Sequence, residues 1–333
     1  LGHDRERARA AWAEWRKCAA LDTADVGSKR LLPLVVQRFA ELGIEDAELE
    51  RLKGVVRHTW ASNHERVRAS LEAAAALTSA GMRVCALKGL ALLHSHYASD
   101  FALRPMYDTD LLVLSDRAAE ARGILESLGF KSGASLSRRG GLARQLRWGM
   151  GHAFVRGYSN IDLHWHVLHQ DPSSFFDEIA WAHARPLERA NVPGLFALSP
   201  TELLLHVCLH GVRYDSTANR IWALDAMRIL ARTSDGVDWA RLTRVARQRC
   251  LTVALGDALE FLISLGANVP PHVIENLREA PVLPAELLEY RAITGVWSEL
   301  SPSVRDAAER MASLRRRYQI VTPELIEVLS SHA

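Results

Sequence analysis

Cysteine is scarce in this chain, with four among 333 residues: Cys18, Cys85, Cys208 and Cys250, none in C-x-x-C spacing. That scatter excludes a disulfide framework and a zinc ribbon, and it predicts reduced core thiols in a cytoplasmic protein. Long apolar runs are absent too. None reaches the ~18 residues that a membrane-spanning helix needs, and the first residues are charged instead of a basic patch followed by an apolar block. Neither a membrane partner nor a signal peptide is therefore expected. Net charge is close to balanced, with 41 basic against 39 acidic residues giving +2. No global field points to nucleic acid, although Arg138, Arg139, Arg144 and Arg147 cluster, as do the arginines at 315–317. There is no low-complexity tract and no clear repeat. What remains is an ordinary composition, 48% hydrophobic and 24% charged, in a chain long enough for two or three domains.

Up to about residue 80 the pattern is helical. Trp12, Trp15 and Ala19 share one face, Leu49, Leu52, Val56 and Trp60 a second, and Val67, Leu71, Ala74 and either Leu77 or Thr78 a third. Pro33 reads as early in its helix, with Gly43 and Gly81 as punctuation. These helices either cover one side of a sheet or take part in choosing a substrate. After Arg83 the pattern changes to a strand at 83–88, a helix at 89–97, a strand at 109–114, a helix at 116–128 ended by Gly129, and a strand from Phe130. Two further strands are expected near 143–148 and 152–155.

Successive side chains of a strand alternate faces, so Asp108 and Asp110 project to one side, with Leu112 and Leu114 continuing that face. Two carboxylates that close repel unless a cation sits between them, and paired oxygen ligands suit a hard divalent ion such as Mg²⁺, with Mn²⁺ as the other choice. Upstream, Gly89 opens a helix directly after the strand, leaving free amide groups and the positive end of a helix dipole beside Lys88. A phosphate fits such a place. Further on, residues 161–167 alternate strictly: Leu163, Trp165 and Val167 face one way, and Asp162, His164 and His166 the other. A polar stripe on a strand faces either water or a site.

The ordered set of strand, Lys88-Gly89, helix, Arg104-Pro105 and the Asp108-x-Asp110 strand resembles the nucleotidyltransferase superfamily, most closely its uncharacterised NTP_transf_5 branch. The resemblance implies an α+β fold, a nucleotidyltransferase-like mixed sheet with helices, and a transfer of a nucleoside monophosphate, or of a phosphoryl group, from a nucleoside triphosphate to a hydroxyl acceptor. Asp108 and Asp110 would hold Mg²⁺. Asp162, if its strand pairs antiparallel beside the Asp-x-Asp strand, would be the third carboxylate, joining the metal site and taking the proton of the attacking hydroxyl. If not, it is a solvent-facing aspartate. The usual Gly-Ser turn is Gly89-Leu90 here, so Lys88 and Arg104 would supply more of the grip on the triphosphate, and His164 would line the nucleotide or acceptor.

The second half returns to helix. Ser199, Pro200 and Glu202 mark a helix start, and the apolar run behind them is buried nearly all round. His206 and His210 share a face there; without an H-E-x-x-H pattern they read as core histidines, His210 being the one placed to reach a cleft. Asp225, inside an apolar stripe, needs a partner such as Arg213, Arg220 or His210, and either lines the cleft or locks two helices together. Prolines near 270, 284, 302 and 323 mark later turns. The chain thus divides into a helical module at 1–82, a catalytic domain at 83–197 and a helical domain at 198–333. Two other readings compete with nucleotidyl transfer: a non-catalytic nucleotide-binding module on the same fold, and a zinc hydrolase built on Asp162, His164 and His166, with His169 beside them.

Overall fold

The computed structural model describes residues 5–133, 149–168, 174–213, 220–232, 236–284, 286, 287 and 290. The N-terminal segment is helical, with α1 (Arg5–Cys18), α2 (Val26–Gln37), α3 (Phe39–Leu42) and the long α4 (Leu49–Ser79). Asp25 caps α2 by accepting a hydrogen bond from Ser28 N at 2.9 Å. Pro33 lies inside α2, deeper than the sequence suggested, where a proline removes one helical hydrogen bond. Trp12 and Trp15 pack on Leu32, Val36, Phe39, Leu42 and Leu52 in a small core separate from the main one. Cys18 corrects a second expectation. It ends α1, a helix that buries no residue fully, and is exposed, whereas Cys85, Cys208 and Cys250 are buried; all four are free.

The end of α4 is a glycine turn: Gly81 takes φ 75°, and Met82 N returns to Leu77 O at 3.1 Å. The chain then enters β1 (Val84–Leu87), fully buried, followed by α5 (Lys88–Ser95), β2 (Thr109–Leu112), α6 (Ala118–Ser127), β3 (Lys131–Ser132), β4 (Gly151–Arg156), β5 (Ser159–His164), α7 (Ser174–His183), β6 (Arg185–Pro186) and β7 (Leu195–Ala197). These strands form one mixed seven-stranded sheet in the order β3-β4-β5-β2-β1-β7-β6. β1 runs antiparallel to β2 and parallel to β7.

β5 runs parallel to β2, which corrects the antiparallel pairing expected for the Asp162 strand. The reason is topological. Helix α6 returns the chain so that β3 runs with β2, and the two antiparallel pairings β3 with β4 and β4 with β5 restore that direction at β5. Asp162 is nevertheless the in-register neighbour of Asp110.

Thr109 points at α4, where its hydroxyl meets that of Ser70. Asp110, next in the strand, therefore points to the opposite face. On that side His206 of α8 (Pro200–Arg213) is close enough for the Asp110 charge to act on it, and α9 (Ile221–Arg232), α10 (Trp239–Gln248), α11 (Thr252–Ser264) and α12 (Pro271–Arg278) follow in the chain. Helix α8 is buried along Leu203, Leu204, Leu205, Val207, Cys208 and Leu209, as its apolar run predicts. At its start the Ser199 hydroxyl donates to Glu202, whose other oxygen accepts from Arg241 Nε at 2.8 Å. The main core draws on all three segments, from Leu34 and Leu77 through Leu87, Leu111 and Leu163 to Leu204, Ala226 and Leu259. Among the described residues no helix is long and apolar enough to cross a membrane. The expectations for 134–148 with Arg138, Arg139, Arg144 and Arg147, for His169, for 315–317 and for Pro302 and Pro323 lie outside the described residues.

Close packing of α8 on α9 depends on Gly211, because a Cβ there would run into the Trp222 indole. Gly211→Ala is expected to destabilise the protein by about 1–3 kcal/mol through overpacking. Denaturant unfolding of the variant checks this, and a midpoint equal to that of the parent would contradict the packing.

Candidate active site

The site grows from the junction of β1 and α5. Leu87 pairs with Asp110 across β1 and β2, and Asp110 with Asp162 across β2 and β5, so one row of the sheet carries both acids on one face. Lys88 follows at φ 38°, a left-handed conformation that costs a non-glycine residue roughly 1–3 kcal/mol. Its Nζ donates to Asp110 Oδ1 at 2.5 Å. The neighbouring Gly89 serves a different need: a Cβ there would come within 2.5 Å of Arg104 Nη1 and 2.7 Å of Met106 Sδ. The lysine thus carries the backbone turn, and the glycine admits the arginine.

His164, two residues beyond Asp162 on the same face of β5, meets the same Asp110 oxygen through Nε2 at 2.9 Å. Gly151 opposite it on β4 has no room for a side chain, since a Cβ would sit 2.8 Å from Leu163 O and 3.2 Å from His164 Cα. One donor atom each of Asp110, Asp162 and His164 lies within 4.8 Å of the others, a grouping that could hold a metal ion. Asp108 stands just outside this group, exposed at the mouth of the site.

The electrostatics follow from burial and proximity. Burial alone would raise the Asp110 carboxyl, but Lys88 and His164 outweigh it and hold the group far below the ordinary carboxylate range. Burial would likewise lower the Lys88 amine, and Asp110 reverses this. Asp162 and Asp108 are both pushed up, first by the surrounding protein and next by the charge on Asp110. The ionised forms of these two acids, disfavoured by burial and by the neighbouring Asp110 charge, would both be favoured by a cation placed between them. Carboxylate oxygens with one imidazole nitrogen in such a place fit a divalent cation.

Arg104, expected at the triphosphate, is buried and turned to Asp225 on α9, with Nε to Oδ1 at 2.8 Å and Nη2 to Oδ2 at 2.7 Å. Tyr97 donates its hydroxyl to the same Oδ1 at 2.8 Å. The partner of Asp225 is therefore a residue before β2, where Arg220 or His210 was expected; the side chain of Arg213 lies outside those described. The fork ties the helices that follow the sheet to the loop that delivers Asp108. That loop is also held from α4. Asn63, buried, donates to Phe101 O and Arg104 O at 2.8 Å each and accepts from Met106 N at 3.1 Å.

Asn63 was missed in the sequence because nothing local distinguishes it; its only signal is an amide among the apolar positions of a long helix. The histidines of α8 also change places. His206 is buried, with Lys88, Asp110 and His164 among the charges that act on it, so it is the one beside the site. His210, half-buried, packs edge-on to it with ring centroids 6.3 Å apart. The zinc trio of Asp162, His164 and His166 does not assemble. Strand β5 ends at His164, and His166 Nδ1 is 2.6 Å from Asp177 Oδ2 on α7.

A mixed sheet with acids on adjacent central strands, beside a strand-to-helix turn bearing lysine, defines a nucleotidyltransferase-type enzyme of phosphorus transfer. Residues 21–265 match the profile of the family described as uncharacterised nucleotidyltransferase, NTP_transf_5, and the chain belongs to that family. No curated protein and no solved structure matches it.

Two outcomes follow from this geometry. Asp225→Ala leaves the Arg104 guanidinium buried without its counter-charge and is expected to cost about 3–5 kcal/mol in denaturant unfolding, with the apolar double replacement Arg104→Met, Asp225→Leu recovering much of the loss. A double variant as unstable as the single one would show that the pair is not the cause. His206 gives a pH effect: burial, then the Lys88 charge, lower its pKa from 6.5 to about 3. The folded state keeps this ring neutral, so its contribution is present above the unfolded pKa and is lost as pH falls from 6.5 towards 3. His206→Leu should remove up to about 1.4 kcal/mol per pH unit of acid sensitivity across that window. Stability curves of the two proteins with equal slopes there would contradict it.

Proposed function

We propose that the chain is a Mg²⁺-dependent nucleotidyltransferase that moves a nucleoside monophosphate from a nucleoside triphosphate to a hydroxyl of a small-molecule, peptide or glycan acceptor. We take residues 83–197 as the catalytic unit, with the segments before and after it as helical modules. The observation that carries the reading is the register of Asp110 with Asp162 on neighbouring parallel strands, with His164 and Lys88 both bonded to Asp110. Asp108, Asp110 and Asp162 would hold Mg²⁺ or Mn²⁺, which when bound supplies Lewis-acid neutralisation of phosphate charge.

The remaining work falls to the chain's own residues. The amide groups that begin α5, Gly89 among them, receive the incoming phosphates, and Lys88, bonded to Asp110, adds its charge beside them. Asp162, whose proton is held more tightly than an ordinary carboxylate's, accepts the proton of the attacking hydroxyl. A bond forms between the acceptor oxygen and the α-phosphorus as the bond from that phosphorus to the bridging oxygen breaks, and pyrophosphate leaves. His164 orients Asp110. Arg104, spanned by Asp225, is a positioning residue that fixes the loop carrying Asp108.

Calorimetric titration with ATP, GTP, CTP and UTP, each with and without MgCl₂, tests the reading on the parent protein and on Asp110→Asn and Asp162→Asn. Mg²⁺-dependent binding of one triphosphate, weakened at least about tenfold in both variants, is expected, with Asp162→Asn near the parental thermal midpoint and Asp110→Asn below it because Lys88 loses its counter-charge. No bound triphosphate, or equal binding by the variants, would sink it. Binding in which candidate acceptors never bring pyrophosphate release would instead favour a nucleotide-binding module; one oxygen of Asp110 engaged by two partners is an arrangement such a module could share.

A further inference from the structure

The cations nearest the acids are already engaged: Lys88 with Asp110, and Arg104 with Asp225. A third stands beside them from outside the sheet. Arg30, on α2, lays its guanidinium over the ring of Tyr107, with Cζ 4.6 Å from the centroid. Tyr107 precedes Asp108 and is 49% exposed, so the stacked pair stands at the mouth of the site and not in the core. The Arg30 side chain is half-buried, its Nε is shut off from solvent, and no hydrogen bond reaches that nitrogen among the described residues. No ion pair holds the guanidinium among those residues either. The charges that act on it are Asp108 and Asp225, which attract it, and Arg104, which repels it. Arg30 in turn is one of the cations that ease the raised proton affinity of Asp108.

Stacking on a tyrosine accounts for the position of a guanidinium but leaves its donors open. An orphaned donor such as this Nε is costly where water is excluded, and the planar fork of a guanidinium suits phosphate oxygens. The surroundings favour an anion that arrives with its own cation: Asp108 would repel a bare phosphate, and a metal-neutralised polyphosphate removes that objection. Helix α2 packs on α4 and on α9, the helix that carries Asp225, so Arg30 is held on elements that already frame the site.

We propose that Arg30 is a phosphate-binding residue of the nucleotide site, which makes the N-terminal helices part of that site and not only a cover for the sheet. The assignment rests on the nucleotidyl-transfer reading and deepens it. It names which residue takes the place at the triphosphate from which Arg104 is withdrawn by Asp225.

The test is calorimetric titration of the full chain with ATP, GTP, CTP and UTP in MgCl₂, comparing the parent with Arg30→Met, Arg30→Lys and Asp110→Asn, with thermal midpoints taken for each. Arg30→Met, which keeps an unbranched stem on Tyr107, is expected to weaken the bound triphosphate about 10- to 100-fold at a near-parental midpoint, and Arg30→Lys to restore part of that loss by restoring the charge. Arg30→Met binding within about twofold of the parent overturns the assignment while the parent reading stands on Asp110→Asn. So does a weakened Arg30→Met that Arg30→Lys does not improve, because a purely packing role would not follow the charge. If the parent protein binds none of the four triphosphates, the nucleotidyl-transfer reading fails and Arg30 fails with it.

Discussion

Everything in this site is arranged around one ionised carboxylate that has been taken out of water. Asp110 is 2% exposed, and its burial is sustained only because Lys88 and His164 meet it at hydrogen-bond distance. At such separations the attraction between unit charges is several kcal/mol even at the effective dielectric of a protein surface, and removing one partner exposes the full desolvation penalty of the other. The local backbone is subordinate to that requirement. Lys88 adopts a left-handed φ, a conformation that favours glycine, and it does so at the position whose side chain must reach Asp110. The strain is tolerated because both flanking elements are buried: β1 throughout, and α5 from Gly89 to His94.

A second ionic contact performs a different task at longer range. Asp225 lies 121 residues from Arg104, yet the bidentate fork between them is as buried as the pair at Asp110. Buried ion pairs are weak evidence for net stability, and their best-attested use is to specify one arrangement among competitors. Here the arrangement specified is the approach of α9 to the loop between α5 and β2. Asn63 fixes the same loop from α4 on the other side through three backbone groups, Phe101 O, Arg104 O and Met106 N. The loop before the Asp-x-Asp strand is thus held from both flanking helical segments, which is why Asp108 has a defined place although it lies outside the strand.

These contacts divide what the sequence can express from what it cannot. Strand alternation is a local property, so the facing of Asp110 away from Thr109, and of Asp162 and His164 to one side, was legible. So were the buried helix behind Ser199 and the glycine turn at Gly81. The relative direction of β2 and β5 was not, because it depends on how many times the chain reverses between them, and the segment between β3 and β4 carries no decisive pattern. The partner of Arg104 was hidden for a related reason: a buried charge announces that it needs a counter-charge but not where in the chain that counter-charge lies. His206 and His210, four apart on one helix, could be separated only by the packing of α8 on the sheet.

The same logic bears on the N-terminal helices. Their apolar stripes are explained by core packing alone, since Leu34, Val67, Ala73 and Leu77 join the main core. Their polar residues are not. Asn63, Ser70 and Arg30 sit on two different helices, and each is directed at the stretch from Phe101 to Thr109. A cover for the sheet needs only apolar contact, and polar side chains aimed at a single loop add desolvation cost unless that loop must be held in one geometry. The cluster of Asp110, Asp162 and His164, a grouping that could hold a metal ion, supplies such a requirement, because ligands of one ion tolerate little displacement. The family profile, which begins at residue 21 and so takes in α2 and α4, covers these residues together with the acids they serve.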